Sequence, residues 1–396
     1  MTHPQGSPTA WPRARELAGA ACTPVEVRRV GLDQAAGAVL AGDALALTDL
    51  PATDTSAMDG WAVAGRPPWR LAGAVLAGDV PGPLAAGTCV QIATGAVMPP
   101  GADGVVRSER GRCVAGPDGT DQVVLPVADA VVLPALARDV RRAGSECRAG
   151  DVVLAAGAPL GPAAVGLLAA AGHDHVSVRR AGVDVLVLGD ELLASGPARD
   201  GRLRDALGPL LSAWLPALGL AVTSRRHVPD RADALALALR GCTGDVVVTT
   251  GSTARGPVDH LHRVLADAGA RLVVDGVAVR PGHPMLLAVL PDGRPLVGLP
   301  GNPLAAVSGL LTLLDPVVAA LHARPLPVRR TVRLAEAVDA GGEATRLVPL
   351  ADGRPALFAG PGMLRGLAVA DVVGVVPPGG APAGAEVEAL SLPALR

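Results

Sequence analysis

Val183-Asp184-Val185-Leu186-Val187-Leu188-Gly189-Asp190-Glu191-Leu192 is a nearly unbroken apolar run that stops at a glycine followed by two acids. Such a run fits a strand buried on both faces, the kind found in parallel sheets covered by helices. The residues downstream repeat the idea. Leu203 to Leu218 reads as a helix, Gly219 to Val228 as a strand and Arg231 to Arg240 as a helix. The strand Val246 to Thr250, a helix from Val258 to Ala268, and apolar runs near Val277 and from Met285 to Leu290 follow. Strand and helix in alternation predict a doubly wound α/β domain, with ligands at the carboxyl ends of its strands.

Outward from this domain the texture changes. Gly73 to Val132 is rich in Val, Gly and Pro with short apolar runs such as Val123-Val124-Leu125, which predicts a β-rich module. From Pro325 the chain returns to short β runs and Pro/Gly turns, predicting a small C-terminal β-barrel or sandwich. Gly161 to Ala171 is an apolar helix that, with Trp11 to Ala41, is expected to form an elongated N-terminal module. The expected domains are 1–47 with 139–177, 48–138, 178–324 and 325–396, making a multidomain α/β protein.

Composition narrows the function. Over 396 residues the net charge is −2, so there is no basic surplus to neutralise nucleic-acid phosphates. The uncharged run Val152 to Gly172 approaches the ~20 residues of a membrane span, but Pro159 and Pro162 break it. No apolar signal stretch marks Met1 to Arg15, and a cytoplasmic protein is expected. Cys22, Cys89, Cys113, Cys147 and Cys242 are odd in number and widely spaced, which predicts free thiols rather than disulfides or a zinc site.

Three polar loops end strands of the α/β domain: Gly189-Asp190-Glu191-Leu192, Thr249-Thr250-Gly251-Ser252-Thr253-Ala254-Arg255-Gly256, and Leu299-Pro300-Gly301-Asn302-Pro303. Asp259 falls in the first turn of the next helix. Small residues let backbone N–H groups approach phosphate oxygens, and carboxylates on the same rim suit a divalent cation bridging those phosphates. Asn302 is the only asparagine in a chain without Lys or Tyr. Asn at the N-cap before Pro favours a helix start, and the free N–H groups of a helix start also favour an anion. Asp54-Thr55-Ser56-Ala57-Met58-Asp59-Gly60 reads as a capped turn or a polar site. Thr94 ends a strand, and Arg141-Arg142 offers guanidiniums to an oxyanion or to solvent.

In this order the motifs resemble the molybdopterin molybdenumtransferases, a family that includes the insertase half of gephyrin. The likeness runs from about Pro51 to Pro377. It rests on Asp54 to Gly60, Thr94 to Asp103, Gly189-Asp190-Glu191-Leu192, Leu299 to Pro303, and Gly362-Met363-Leu364-Arg365. The resemblance implies insertion of molybdate into adenylylated molybdopterin, with magnesium or another divalent cation, to give molybdenum cofactor and AMP. It implies a homodimer that meets the adenylylating enzyme and molybdoenzymes, and no nucleic acid or membrane partner. Asp59, Glu191 and Asp259 would be catalytic, with Glu191 and Asp259 holding the cation. Thr94, Arg141, Glu146, Asp190, Asp205, Gly251, Ser252, Arg280, His283, Pro300, Gly301, Asn302 and Arg346 would bind substrate.

The chain departs from the family pattern in places. Gly251 to Gly256 stands for Gly-Gly-Val-Ser-Val-Gly, Arg280-Pro281-Gly282-His283-Pro284 for Lys-Pro-Gly-Lys-Pro, and Pro361 for a serine. Two alternatives to an active insertase follow. One is a non-catalytic paralogue that binds a pterin nucleotide or a partner protein, and the other is an enzyme that cleaves a different nucleotide pyrophosphate.

Overall fold

The computed structural model describes residues 7–125, 139–251, 253, 260–326 and 329–393. The chain forms two compact units, one of Asp43–Ala155 with Val165–Asp174 and the other of the remaining segments.

In the larger unit, the strand Gly182–Leu188 buries nearly every residue, as its apolar run requires. It pairs in parallel with Ala221–Val228 on one side and Val246–Thr250 on the other, and Val246–Thr250 pairs in parallel with Pro295–Leu299. The carboxyl ends of Gly182–Leu188, Val246–Thr250 and Pro295–Leu299 therefore share one rim. Beyond them the sheet turns antiparallel, through Leu286–Val289 and Arg271–Asp275. The sheet is therefore mixed at one edge. The helix expected from Leu203 begins only at Leu207. Leu203–Arg204 pairs instead with Leu192–Leu193, and the Asp205 carboxylate then accepts the Gly208 N–H at 2.8 Å, starting the helix there.

The run at Val277 leaves the α/β sheet altogether. Val277–Arg280 lies between Thr9–Ala10 and Thr345–Ala351, pairing in parallel with both. A sheet built mainly from the C-terminal segment thus takes in one strand from the α/β segment and one from the N-terminal segment. Antiparallel strands Val372–Val376, Glu386–Ser391 and Arg330–Arg333 complete its path.

The core is organised around the helical stretch Pro303–Leu321, which includes one π turn, Leu310–Leu314. It is 19 residues long, and an 18-residue window of it has mean hydropathy 2.0, enough to cross a membrane by length and composition, yet 89% of that window is buried within the fold. That burial fits a core helix, and the apolar run at Val152 is not its equal. The helix Trp11–Gly19 packs Trp11, Ala14 and Ala18 into the same core. The Trp11 indole donates to Thr312 Oγ1 at 2.9 Å, and Arg15 donates to the Leu311 carbonyl inside the π turn.

Two titratable groups belong to this stretch, Asp315 half-buried within it and His322 buried at its C-cap. Burial, partly offset by Arg15 and Arg324, raises the Asp315 carboxyl to about 6. Burial, with Arg324 and Arg179 nearby, lowers His322 to about 4, and its Nε2 accepts the Ala181 N–H at 3.1 Å. The unfolded chain protonates His322 below about 6.5, while the fold refuses that proton until about 4. Stability from His322 is therefore present above pH 6.5 and is lost on acidification toward 4. Asp315 acts in the opposite sense, since its contribution is present below pH 3.8 and is lost as pH rises toward 6. Each effect is on the order of 3 kcal/mol, so they largely cancel between pH 4 and 6. Asp315→Asn should expose the histidine branch alone. Its melting temperature is expected to fall more steeply from pH 6.5 to 4 than that of the unmodified chain; parallel curves would refute this.

In the smaller unit the six-stranded sheet runs in the order Arg112–Ala115, Asp121–Val124, Trp69–Val75, Thr88–Ile92, Gly60–Val63, Gly104–Arg107. This is the β-rich module expected from the Val/Gly/Pro texture. The part of that expectation beyond Leu125 lies outside the described residues. Gly60 is required where it stands, because a Cβ there would sit 2.0 Å from the Val106 carbonyl oxygen. All five cysteines are free.

Candidate active site

At the rim of the α/β sheet the described start of the second loop, Gly251, lies against the ends of the strands that lead into the other two. The Gly251 N–H donates to the Leu299 carbonyl at 2.9 Å, and a Cβ on Gly251 would lie 3.2 Å from the Leu188 carbonyl oxygen. Gly251 has φ 83°, which suits glycine. Glu191 is exposed, and among the described residues it has no ion-pair partner. Its carboxylate folds back over Gly189, where an added Cβ would come within 2.6 Å of Oε2. The Asp190 N–H points to the Asp230 carboxylate at 3.3 Å. Ser252 and Asp259, with 254–258, lie outside the described residues.

Asn302 occupies the N-cap position, with Pro303 at the first helical position, but its side chain makes no capping bond. The Pro361 carbonyl takes that role, accepting from the Leu304 N–H at 2.9 Å and the Ala305 N–H at 3.3 Å. The expected anion site on free N–H groups is therefore corrected: these two donors are already used. Pro300 and Gly301 shape the entry to the helix, and Gly301 approaches the Gly251 backbone.

Beside this loop lies a cavity of about 320 Å³, at the small end of the range for small-molecule sites. Arg280, Pro281, Gly341, Arg346, Gly360 and Pro361 line it, with Leu347 to Pro349 as apolar wall. Arg280 and Arg346 are register partners across two parallel strands. Like charges placed opposite one another destabilise a sheet, and neither guanidinium has a carboxylate partner among the described residues. Among the described residues the cavity wall carries no acid. Two guanidiniums in that situation suit a tetrahedral oxyanion, whose oxygens match their planar forks. His283 does not line the cavity. Its Nδ1 is 2.9 Å from the Val277 carbonyl oxygen and its ring packs over Gly276.

The smaller unit gathers the other expected residues. Asp59 Oδ1 accepts from both the Thr94 N–H, at 2.7 Å, and the Thr94 hydroxyl, at 2.9 Å. These bonds hold the Asp59 carboxyl below the usual carboxylate range. The strand Val140–Arg141 pairs with Thr55–Ser56, setting Arg141 at the edge of the Asp54–Gly60 turn. Arg142, one of the two guanidiniums offered to an oxyanion, is instead bound to Asp54 at 2.5 Å. Glu146 is exposed, and its backbone N–H donates to the Leu50 carbonyl. In the larger unit Asp205 starts a helix, as described above.

Some of the atoms that shape this region have no signature in the sequence. The Pro361 carbonyl and the Asp339–Gly342 turn carry no motif, and the paired glycines Gly341-Gly342 signal only that the chain turns.

Comparison with known proteins matches residues 10–172 to the family described as MoeA N-terminal region (domain I and II). Residues 184–320 match the probable molybdopterin binding domain. A molybdopterin molybdenumtransferase from Synechococcus elongatus is 32% identical over 345 residues, covering 81% of this chain and 83% of its own length. Its counterpart from Haemophilus influenzae is 31% identical over 315 residues, covering 76% and 74%. Among solved structures, the molybdopterin biosynthesis MoeA protein of Pyrococcus horikoshii superposes with TM-score 0.72 at 21% identity, over 97% of this chain and 99% of that one. That likeness carries the fold, and the sequence identities carry the family. The chain belongs to the molybdopterin molybdenumtransferase family.

Proposed function

We propose that this chain is an active molybdenum insertase, which takes molybdate and adenylylated molybdopterin to molybdenum cofactor and AMP. The observation that carries the reading is the Arg280–Arg346 pair, register partners on the wall of a small cavity, with no carboxylate partner among the described residues. In this reading they hold molybdate, a substrate, while Pro281, Gly360 and Pro361 shape the space around it. For the smaller unit, the family motif assigns Asp59 and Thr94 to the pterin nucleotide, with Arg141 and Glu146 near the same turn.

The cation is assigned to Glu191 and Asp259. Among the described residues no cluster of three or more acids, histidines or cysteines forms a metal cage. Magnesium binds through one or two carboxylates plus substrate phosphates, and the exposed Glu191 carboxylate suits that role. When bound, the cation would neutralise charge on the pyrophosphate and favour departure of AMP. The residues of this chain do the rest: the arginines orient the oxyanion, and the Gly251 and Pro300-Gly301 backbone lets substrate come close. We infer a homodimer working in the cytoplasm, meeting the adenylylating enzyme and recipient molybdoenzymes.

Purified protein incubated with adenylylated molybdopterin, molybdate and magnesium should release AMP in stoichiometric amount with cofactor. Tight nucleotide binding without molybdate-dependent AMP release would overturn catalysis and leave a binding paralogue. AMP release from other dinucleotides at equal rate would favour a general pyrophosphate-cleaving enzyme.

A further inference from the structure

Both cavity arginines are tied to one turn. Arg346 donates through Nη1 to the Asp339 carbonyl, and Arg280 Nη1 reaches the Gly341 carbonyl at 3.4 Å. The turn is itself held from several sides. The Asp339 carboxylate accepts the Gly341 N–H at 2.8 Å, and Val338 and Ala381 exchange backbone bonds of 2.8 and 2.9 Å. The Gly342 carbonyl accepts the Gly379 N–H at 3.1 Å. Gly341 has φ 65°, so the turn needs a residue that tolerates the left-handed region.

A guanidinium has five N–H donors in a rigid fork. Giving one donor to a fixed carbonyl costs little binding capacity and removes much of the side chain's freedom. Arg280 and Arg346 repel each other as cross-strand neighbours, so without tethers they would splay apart. Two carbonyls of the same tight turn, two residues apart, hold them at the cavity instead. We propose that the Asp339–Gly342 turn is a positioning element for the oxyanion site, with the Asp339 carboxylate as its clasp. This rests on the reading that Arg280 and Arg346 bind molybdate.

The charge of Asp339 gives the test a sign. If Asp339 acted only as a nearby negative charge, removing it would tighten anion binding in any variant. As a clasp, Asp339→Ala should weaken binding, while Asp339→Asn, which keeps an oxygen to accept the Gly341 N–H, should bind at least as well as the unmodified chain. Molybdate alone is titrated into the purified full-length protein by calorimetry. Asp339→Ala is expected to raise the dissociation constant about three- to tenfold and Asp339→Asn to leave it within about twofold or lower, the loss of one orienting hydrogen bond. In turnover assays Asp339→Ala should raise KM for molybdate and leave KM for adenylylated molybdopterin unchanged. Gly341→Ala strains the same turn at different atoms and should weaken molybdate in the same direction. Asp339 is exposed, so the folds should survive, which melting curves check.

If Asp339→Ala and Gly341→Ala both bind molybdate normally while Arg346→Ala does not, the clasp is overturned and the arginine site stands. If Arg346→Ala also binds normally, the site reading itself has failed.

Discussion

Arg346→Ala is expected to raise the dissociation constant for molybdate roughly 30- to 150-fold, the equivalent of about 2–3 kcal/mol for a charge-assisted hydrogen bond lost from an oxyanion. Arg346 stands on the Thr345–Ala351 strand, directly across from Arg280, and among the described residues the cavity wall they share holds no other charge. Removing one guanidinium leaves a dianion facing a single cation. Arg346→Lys restores charge but not the planar fork, so it should recover only part of the loss. Affinity for adenylylated molybdopterin should hardly change, because the substitution is aimed at the oxyanion. Binding measured by calorimetry at one salt concentration decides it, and an Arg346→Ala protein that binds molybdate as the unmodified chain does would refute the assignment. His283→Ala is a useful contrast, since His283 contacts the Val277 carbonyl and Gly276 rather than the cavity.

Trp11→Ala should lower stability by about 3–5 kcal/mol, the cost of removing a buried tryptophan. Trp11 is 2% exposed and bonds to Thr312. The guanidiniums of Arg15 and Arg329 lie 5.3 and 5.6 Å from its ring. Removing it opens a cavity against the π turn and leaves the Thr312 hydroxyl without its donor. Trp11→Phe keeps most of the ring and should lose about 1 kcal/mol or somewhat more. The consequence reaches the site, because Thr9–Ala10 pairs with the strand that ends in Arg280. Denaturant unfolding should show the midpoint of the larger unit's transition falling in Trp11→Ala. A midpoint unchanged would mean that the helix Trp11–Gly19 is not part of the core.

The contrast between these two residues shows what a sequence can carry. The strand Val246–Thr250 was legible residue for residue, because five apolar or β-branched residues in a row between turn signals have one comfortable home. The rim followed, since successive parallel strands must end on the same side. Asn302 was placed at its helix start by Pro303, but the partner that satisfies the helix came from Pro361, nearly sixty residues away. No local pattern encodes that carbonyl. The same holds for Val277–Arg280, whose apolar alternation shows a strand but not which sheet will take it. Arg346 was reached only through family likeness, and its pairing with Arg280 depends on a strand exchange between sheets that propensity cannot express. The Asp339–Gly342 turn was invisible for a further reason, as its contribution is made by backbone carbonyls, which every residue has.

Whether Arg280 and Arg346 hold the oxyanion of an insertase is decided by where molybdenum sits. Crystals soaked in molybdate, with diffraction recorded at the molybdenum absorption edge, should show an anomalous peak in the cavity within hydrogen-bonding distance of both guanidiniums. The peak should vanish in Arg346→Ala crystals soaked at the same concentration. Molybdenum bound elsewhere, with the cavity between Arg280 and Arg346 empty, would contradict the account.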